Sequence, residues 1–95
     1  MRTKLTEDDI ARELATLPGW ERRGDAIART FDFPRFADGI AFVNRVAAAA
    51  DAADHHPDVD IRYTRVTCVL STHDAGGITP ADVRLAREID QLAGG

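Results

Sequence analysis

The chain has 95 residues, with twelve basic and sixteen acidic side chains and a net charge of −4. That length fits a single domain, residues 1–95, with a modest core. The acidic balance argues against a nucleic-acid surface, which needs a basic patch to neutralise phosphates. Thr6-Glu7-Asp8-Asp9 announces a first helix: Thr6 can cap the leading amides, and Asp9 can return the bond as in a capping box. Ile10, Leu14 and Leu17 follow at the spacing of one buried helical face, and Pro18-Gly19 ends the run. Trp20 to Arg23 and Ala26 to Phe33 flank Gly24-Asp25 and predict a hairpin. Ile27, Phe31 and Phe33 share one parity, and Arg29 interrupts it, as it would near a sheet edge.

Pro34 suits the first position of a long second helix, where its missing N–H costs nothing. Phe36, Ile40, Val43, Ala47 and Ala50 form its apolar stripe, read as core or subunit interface, until His55-His56-Pro57 stops the helix. Val59, Ile61 and Tyr63, then Val66, Cys68 and Leu70, predict two strands joined by a tight turn or bulge around Thr64-Arg65. His73 to Gly77 is a loop. Thr79-Pro80-Ala81-Asp82 opens the last helix with a cap, a proline at N1 and an acid at N3. Val83, Ala86, Ile89, Leu92 and Ala93 form its buried face, and Gly94-Gly95 closes the chain. The order α-β-β-α-β-β-α predicts an α+β fold, a four-stranded antiparallel sheet with helices packed on one face.

No stretch approaches the ~18 apolar residues of a transmembrane helix. The opening MRTKLTEDDI lacks the apolar stretch of a secretory signal. Cys68 is the only cysteine, which excludes an internal disulfide and suits a reducing compartment, so a cytoplasmic location is expected. A domain this small often gains stability by oligomerising.

All three histidines, His55, His56 and His73, fall at element ends, where loops carry function on a rigid scaffold. Asp51, Asp54 and Asp58 surround the pair, and Asp74 adjoins His73. Imidazole is the side chain best suited to exchanging protons near neutral pH. Each feature also has a plain structural reading. His-His-Pro can cap a helix C-terminus and face its dipole, His73 can be a solvated loop residue, and Asp82 can be a capping acid. Trp20 and Cys68 fit ordinary core positions. Adjacent histidines diverge, and no i, i+4 histidine pair stands on a helix, which disfavours a metal centre. Neither Ser71 nor Cys68 has the setting of a catalytic nucleophile.

Taken together, Asp51-x-x-x-His55-His56-Pro57, Tyr63, Ser71-Thr72-His73, Gly77 and Asp82 resemble the signature of the pterin-4a-carbinolamine dehydratases. Trp20, the hairpin, Phe42-x-x-x-Val46 and Thr79-x-x-Asp82-x-x-Leu85-Ala86 extend the likeness over nearly the whole chain. Asp51 departs from the more usual Glu, and Thr64 stands where Asn often follows the tyrosine. The resemblance implies a hydro-lyase of tetrahydrobiopterin metabolism. It would convert 4a-hydroxytetrahydrobiopterin to quinonoid dihydrobiopterin and so recycle the pterin of aromatic amino acid hydroxylases. It implies His55, His56 and His73 as catalytic residues, with Asp51, Asp54, Ser71, Thr72, Asp74 and Asp82 around the substrate. It further implies no metal or organic cofactor and a reduced pterin as substrate. The small core and the apolar stripe of the second helix favour a homodimer or homotetramer, and charge and hydropathy lead to the expectation of no nucleic-acid or membrane partner. The alternative on the same fold is a non-catalytic dimerisation, assembly or coactivator module, a role that relatives of this family fill.

Overall fold

In the computed structural model, residues 3–94 are described; Met1 and Arg2 of the opening stretch and Gly95 of the closing pair lie outside the described residues. The expected order holds: α1 (Glu7–Ala15), β1 (Glu21–Arg23), β2 (Ala26–Asp32), α2 (Phe36–Ala53), β3 (Asp58–Arg62), β4 (Arg65–Leu70) and α3 (Pro80–Gly94), with a 3₁₀ turn at His73–Ala75. The capping box of α1 forms as its sequence requires, with the Asp9 amide donating to Thr6 Oγ1 at 3.1 Å and the Thr6 amide donating to Asp9 Oδ2 at 3.4 Å. The four strands pair antiparallel in the order β1-β2-β4-β3. Ile27 and Phe31 of β2 and Val66, Cys68 and Leu70 of β4 join Phe42, Val46, Leu85, Ala86 and Ile89 of the helices in one core.

Four local expectations need correction. α2 begins at Phe36 with Arg35 as its cap, so Pro34 lies just outside the helix; Arg35 instead reaches Asp38 in the first turn at 3.1 Å. The buried face of α2 is Gly39, Phe42, Val46 and Ala50, whereas Phe36 is 49% exposed and Ala47 is exposed. The rings decide this. Phe42 sits 5.0 Å from both Phe31 and Phe33, and Gly39 leaves room for Phe33 and Val66 beside the helix. Arg29 lies on an interior strand, not near an edge. It is half-buried, paired with Asp90 at 2.9 Å and stacked 4.6 Å from the Phe31 ring centre, and Trp20 Nε1 donates to the same Asp90 oxygen at 2.8 Å. Finally, Arg62 faces Arg65, so the β3–β4 turn is Tyr63-Thr64, one residue earlier than read. Tyr63 takes φ 51° at its tip and is 77% exposed, out of any strand.

Candidate active site

The C-terminus of α2 determines how the adjacent histidines diverge. Asp54 caps the helix in the left-handed region, at φ 50° and ψ 42°, a conformation that Asp tolerates better than most residues. The chain turns back, and the His55 amide donates to Ala50 O at 3.1 Å. That turn sends His55 inward, where it is 6% exposed, and leaves His56 at the surface. The His56 Nε2–H donates to Asp51 Oδ1 at 2.9 Å, so even the shorter acid at position 51 reaches its imidazole.

His55 ends on a buried carboxylate. Its Nε2–H donates to Asp82 Oδ1 at 2.5 Å, and Asp82 is fully buried. Asp82 Oδ2 accepts from Thr72 Oγ1 at 2.8 Å and from the Thr79 amide at 2.9 Å. The Thr79 hydroxyl donates to Thr72 Oγ1 at 2.8 Å and accepts the Ala81 amide at 3.2 Å. One carboxylate therefore ties together the end of α2, the end of β4 and the N-terminus of α3. Among the described residues no buried side-chain nitrogen or oxygen lacks a partner. Because a carboxylate only accepts, the ring hydrogen sits on Nε2, and Nδ1 is the proton-accepting atom of neutral His55.

His73 comes from the other side. The Thr72 amide donates to Gly77 O at 2.9 Å, which closes the loop around the 3₁₀ turn, and Gly76 supplies the φ of 75° that reverses it. Leu5 N–H donates to Ile78 O at 2.8 Å, bracing the loop from behind. His73 and Asp74 are exposed. Ser71 lies between the histidines, and its hydroxyl donates to Asp25 O at 2.8 Å. The Phe33 amide donates to Thr64 O, so the even residues of β4 turn their backbone groups towards β2 and the odd ones towards β3. Ser71 thus points its N–H and C=O to the β3 side, beyond Asp58, where that strand has not begun.

Asp54, His55, His56, Ser71, His73 and Asp74 line a single cleft of about 320 Å³. Six of the nine residues expected at the site thus meet. Asp51 stands behind His56, and Thr72 and Asp82 are buried behind His55, at 1% and 0% exposure, without facing the cleft. Sequence reasoning gave Thr79 only the part of a helix cap; its link to Thr72 depends on contact across the loop. Among the described residues no group of three His, Cys, Asp or Glu side chains is placed to hold a metal ion. No described helix is long and apolar enough to cross a membrane.

A helix-backed antiparallel sheet that gathers three histidines in one cleft beside an unpaired strand end defines a small α+β protein. Residues 3–92 match the family model described as pterin 4 alpha carbinolamine dehydratase, and the chain belongs to that family. A relative from Thermomicrobium roseum, provisionally named a pterin-4-alpha-carbinolamine dehydratase, is 53% identical over 90 residues, covering 95% of this chain and 97% of the relative. One from Nocardia farcinica with the same provisional name is 54% identical over 94 residues, covering 98% and 99%. The crystal structure of a transcriptional coactivator/pterin dehydratase from Brucella melitensis superposes with a TM-score of 0.93 at 35% identity, covering 97% of this chain and all of that one. A pterin dehydratase-like protein identified as a RuBisCO assembly factor in the alpha-carboxysome superposes with a TM-score of 0.66 at 25% identity, covering 80% and 88%.

Proposed function

We propose that residues 1–95 act as one domain that dehydrates 4a-hydroxytetrahydrobiopterin to quinonoid dihydrobiopterin by histidine general acid–base catalysis. The observation that carries this reading is the convergence of His55, His56, His73 and the Ser71 backbone on one cleft. The Ser71 N–H and C=O pair with the amide edge of the pterin as an added strand would, which fixes the flat ring between the histidines. The hydroxyl on C4a takes a proton and leaves as water. The N5–H proton passes to a base as the C4a–N5 double bond forms, so protons and charge balance. His55, through Nδ1, and His73 handle these two protons, and His56, held by Asp51, orients the ring. Asp54 and Asp74 at the rim face the amino-pyrimidine. Asp82 and Thr72 act through His55 as positioning residues. The chemistry uses side chains alone, and the cytoplasm, where an unpaired cysteine is stable, is its setting.

Stopped-flow absorbance of freshly generated 4a-hydroxytetrahydrobiopterin tests the reading. The wild type accelerates water loss over the spontaneous rate. His55→Ala and His73→Ala, checked for folding by circular dichroism, each lose a factor of about 10²–10⁴, the usual worth of a positioned acid or base. No acceleration by the wild type sinks the proposal.

A second reading is favoured by an exposed apolar face. Phe36, Val59 and Ile61 are 49%, 38% and 39% exposed, and an apolar groove of about 160 Å³ runs between α2 and β3 past Val43, Ala47 and Val59. We assign that face to self-association as a homodimer or homotetramer. It is also the surface that a non-catalytic assembly or coactivator role would use.

A further inference from the structure

A second cavity, of about 270 Å³, also opens on His55. It shares that residue alone with the histidine cleft; its other walls are Ala53 at the end of α2 and Ala81, Arg84, Leu85 and Glu88 of α3. The α3 positions fall at i, i+3, i+4 and i+7, one stripe of the helix. Ala53 and Ala81 leave the space open, and buried Leu85 gives it an apolar floor. Arg84 and Glu88 are exposed neighbours at i, i+4, yet among the described residues their side chains make no ion pair or hydrogen bond.

We propose that this cavity takes the substituent on C6 of the pterin, and that Arg84 and Glu88 select a vicinally hydroxylated chain there. The inference rests on the dehydratase reading above. C6 is bonded to N5, so a ring whose reacting C4a–N5 bond faces His55 must carry its substituent past that same imidazole. The pyrimidine end, at the opposite side of the bicycle, lies towards Ser71. The two cavities meet His55 from consecutive residues, Ala53 lining one and Asp54 the other, and Ala53 has no side chain long enough to bar the step. A diol suits the pair of charges: its two O–H groups donate to the Glu88 carboxylate, and its oxygens accept from the Arg84 guanidinium. A chain bearing a single charge of either sign pairs with one of these two side chains and is repelled by the other, and a methyl group satisfies neither.

The test is stopped-flow dehydration of 4a-hydroxytetrahydropterins that carry either a 1,2-dihydroxypropyl or a methyl group at C6. The enzymes are the wild type, Arg84→Gln, Glu88→Gln and the constricted Ala53→Leu, with folding checked by circular dichroism. The expected result is a wild-type preference for the diol of about tenfold in kcat/KM, expressed in KM, that falls below about threefold in each variant. Equal kcat/KM for the two pterins in the wild type, or a preference that all three variants retain, overturns the subsite while leaving the dehydratase standing. Failure of the wild type to accelerate either pterin overturns the dehydratase reading and this inference with it.

Discussion

Replacing Asp82 with Asn isolates what the buried carboxylate does for His55. Oδ2 of Asp82 accepts two donors, the Thr72 hydroxyl and the Thr79 amide, while Oδ1 accepts one, from His55. An asparagine in the same rotamer keeps its oxygen where two donors need it and turns its NH₂ towards His55. Two facing N–H groups cannot coexist, so the imidazole moves its hydrogen to Nδ1 and accepts at Nε2. The packing survives, and the cost is the loss of one charge-assisted hydrogen bond, about 1–3 kcal/mol. That is affordable in a domain whose stability is of the order of 5–15 kcal/mol. The catalytic cost is larger, because Nδ1 no longer accepts. Dehydration should fall by about 10²–10⁴, the full worth of one acid–base group, with KM changed much less than kcat. Stopped-flow kinetics measure the rate, and two-dimensional ¹⁵N–¹H spectra of the histidine rings report the tautomer. A variant with the inverted tautomer and the wild-type rate would refute the assignment of proton transfer to His55 Nδ1. A variant that keeps Nε2–H would refute the hydrogen-bond argument itself.

Burial pushes the Cys68 thiol up to about 12, so the native protein should resist aromatic disulfide reagents at pH 8 and titrate one thiol only in denaturant; rapid native labelling would contradict the packing. Ala47→Asp, at an exposed position on the α2–β3 groove, should shift sedimentation towards monomer, and an unchanged oligomer would move the interface elsewhere. Glu7, Asp9 and Asp38 are held below the usual carboxylate range, by the hydrogen bond from Arg22, by that from the Thr6 cap and by that from Arg35 respectively. A depressed folded value means stability that is present above the unfolded values of 4.5 and 3.8 and lost as pH falls through the folded ones. Thermal melts should therefore decline on the acid side of pH 4.5, and Thr6→Ala should flatten part of that decline.

The element order was legible because it depends on local signals: caps at Thr6 and Thr79, a turn at Gly24-Asp25, and a switch from helical to alternating periodicity after Pro57. The orientation of α2 was not. The helix carries two apolar stripes, Phe36-Ile40-Val43-Ala47 and Gly39-Phe42-Val46-Ala50, and periodicity alone cannot say which one meets the sheet. Packing of Phe42 between Phe31 and Phe33 settles it. Tyr63 has the aromatic character of a strand residue, and only the register of Arg62 against Arg65 makes it a turn. Arg29 misled for the same reason. Its partner Asp90 lies 61 residues away, and a charge whose neutralising group is that remote looks like a surface residue.

The site divides along the same line. The gathering of His55, His56 and His73 is expected from the resemblance to the dehydratases; the residues alone place all three at element ends. What each histidine does depends on backbone and long-range contacts that a sequence does not display. The left-handed Asp54 sends one imidazole inward and leaves its neighbour outside. Asp82 is the sharpest case. A capping acid and a functional acid were two separate readings of one residue, and the geometry shows why they need not compete: Oδ2 caps α3 through the Thr79 amide while Oδ1 holds His55. Because the same carboxylate also receives Thr72, the residue before His73, the two histidines assigned to proton transfer share one buried reference point. A shift of the α3 N-terminus would therefore carry His55 and the loop that bears His73 together, and on the proposed mechanism the first turn of that helix holds the two proton-transferring groups in register although none of its residues lines the cleft.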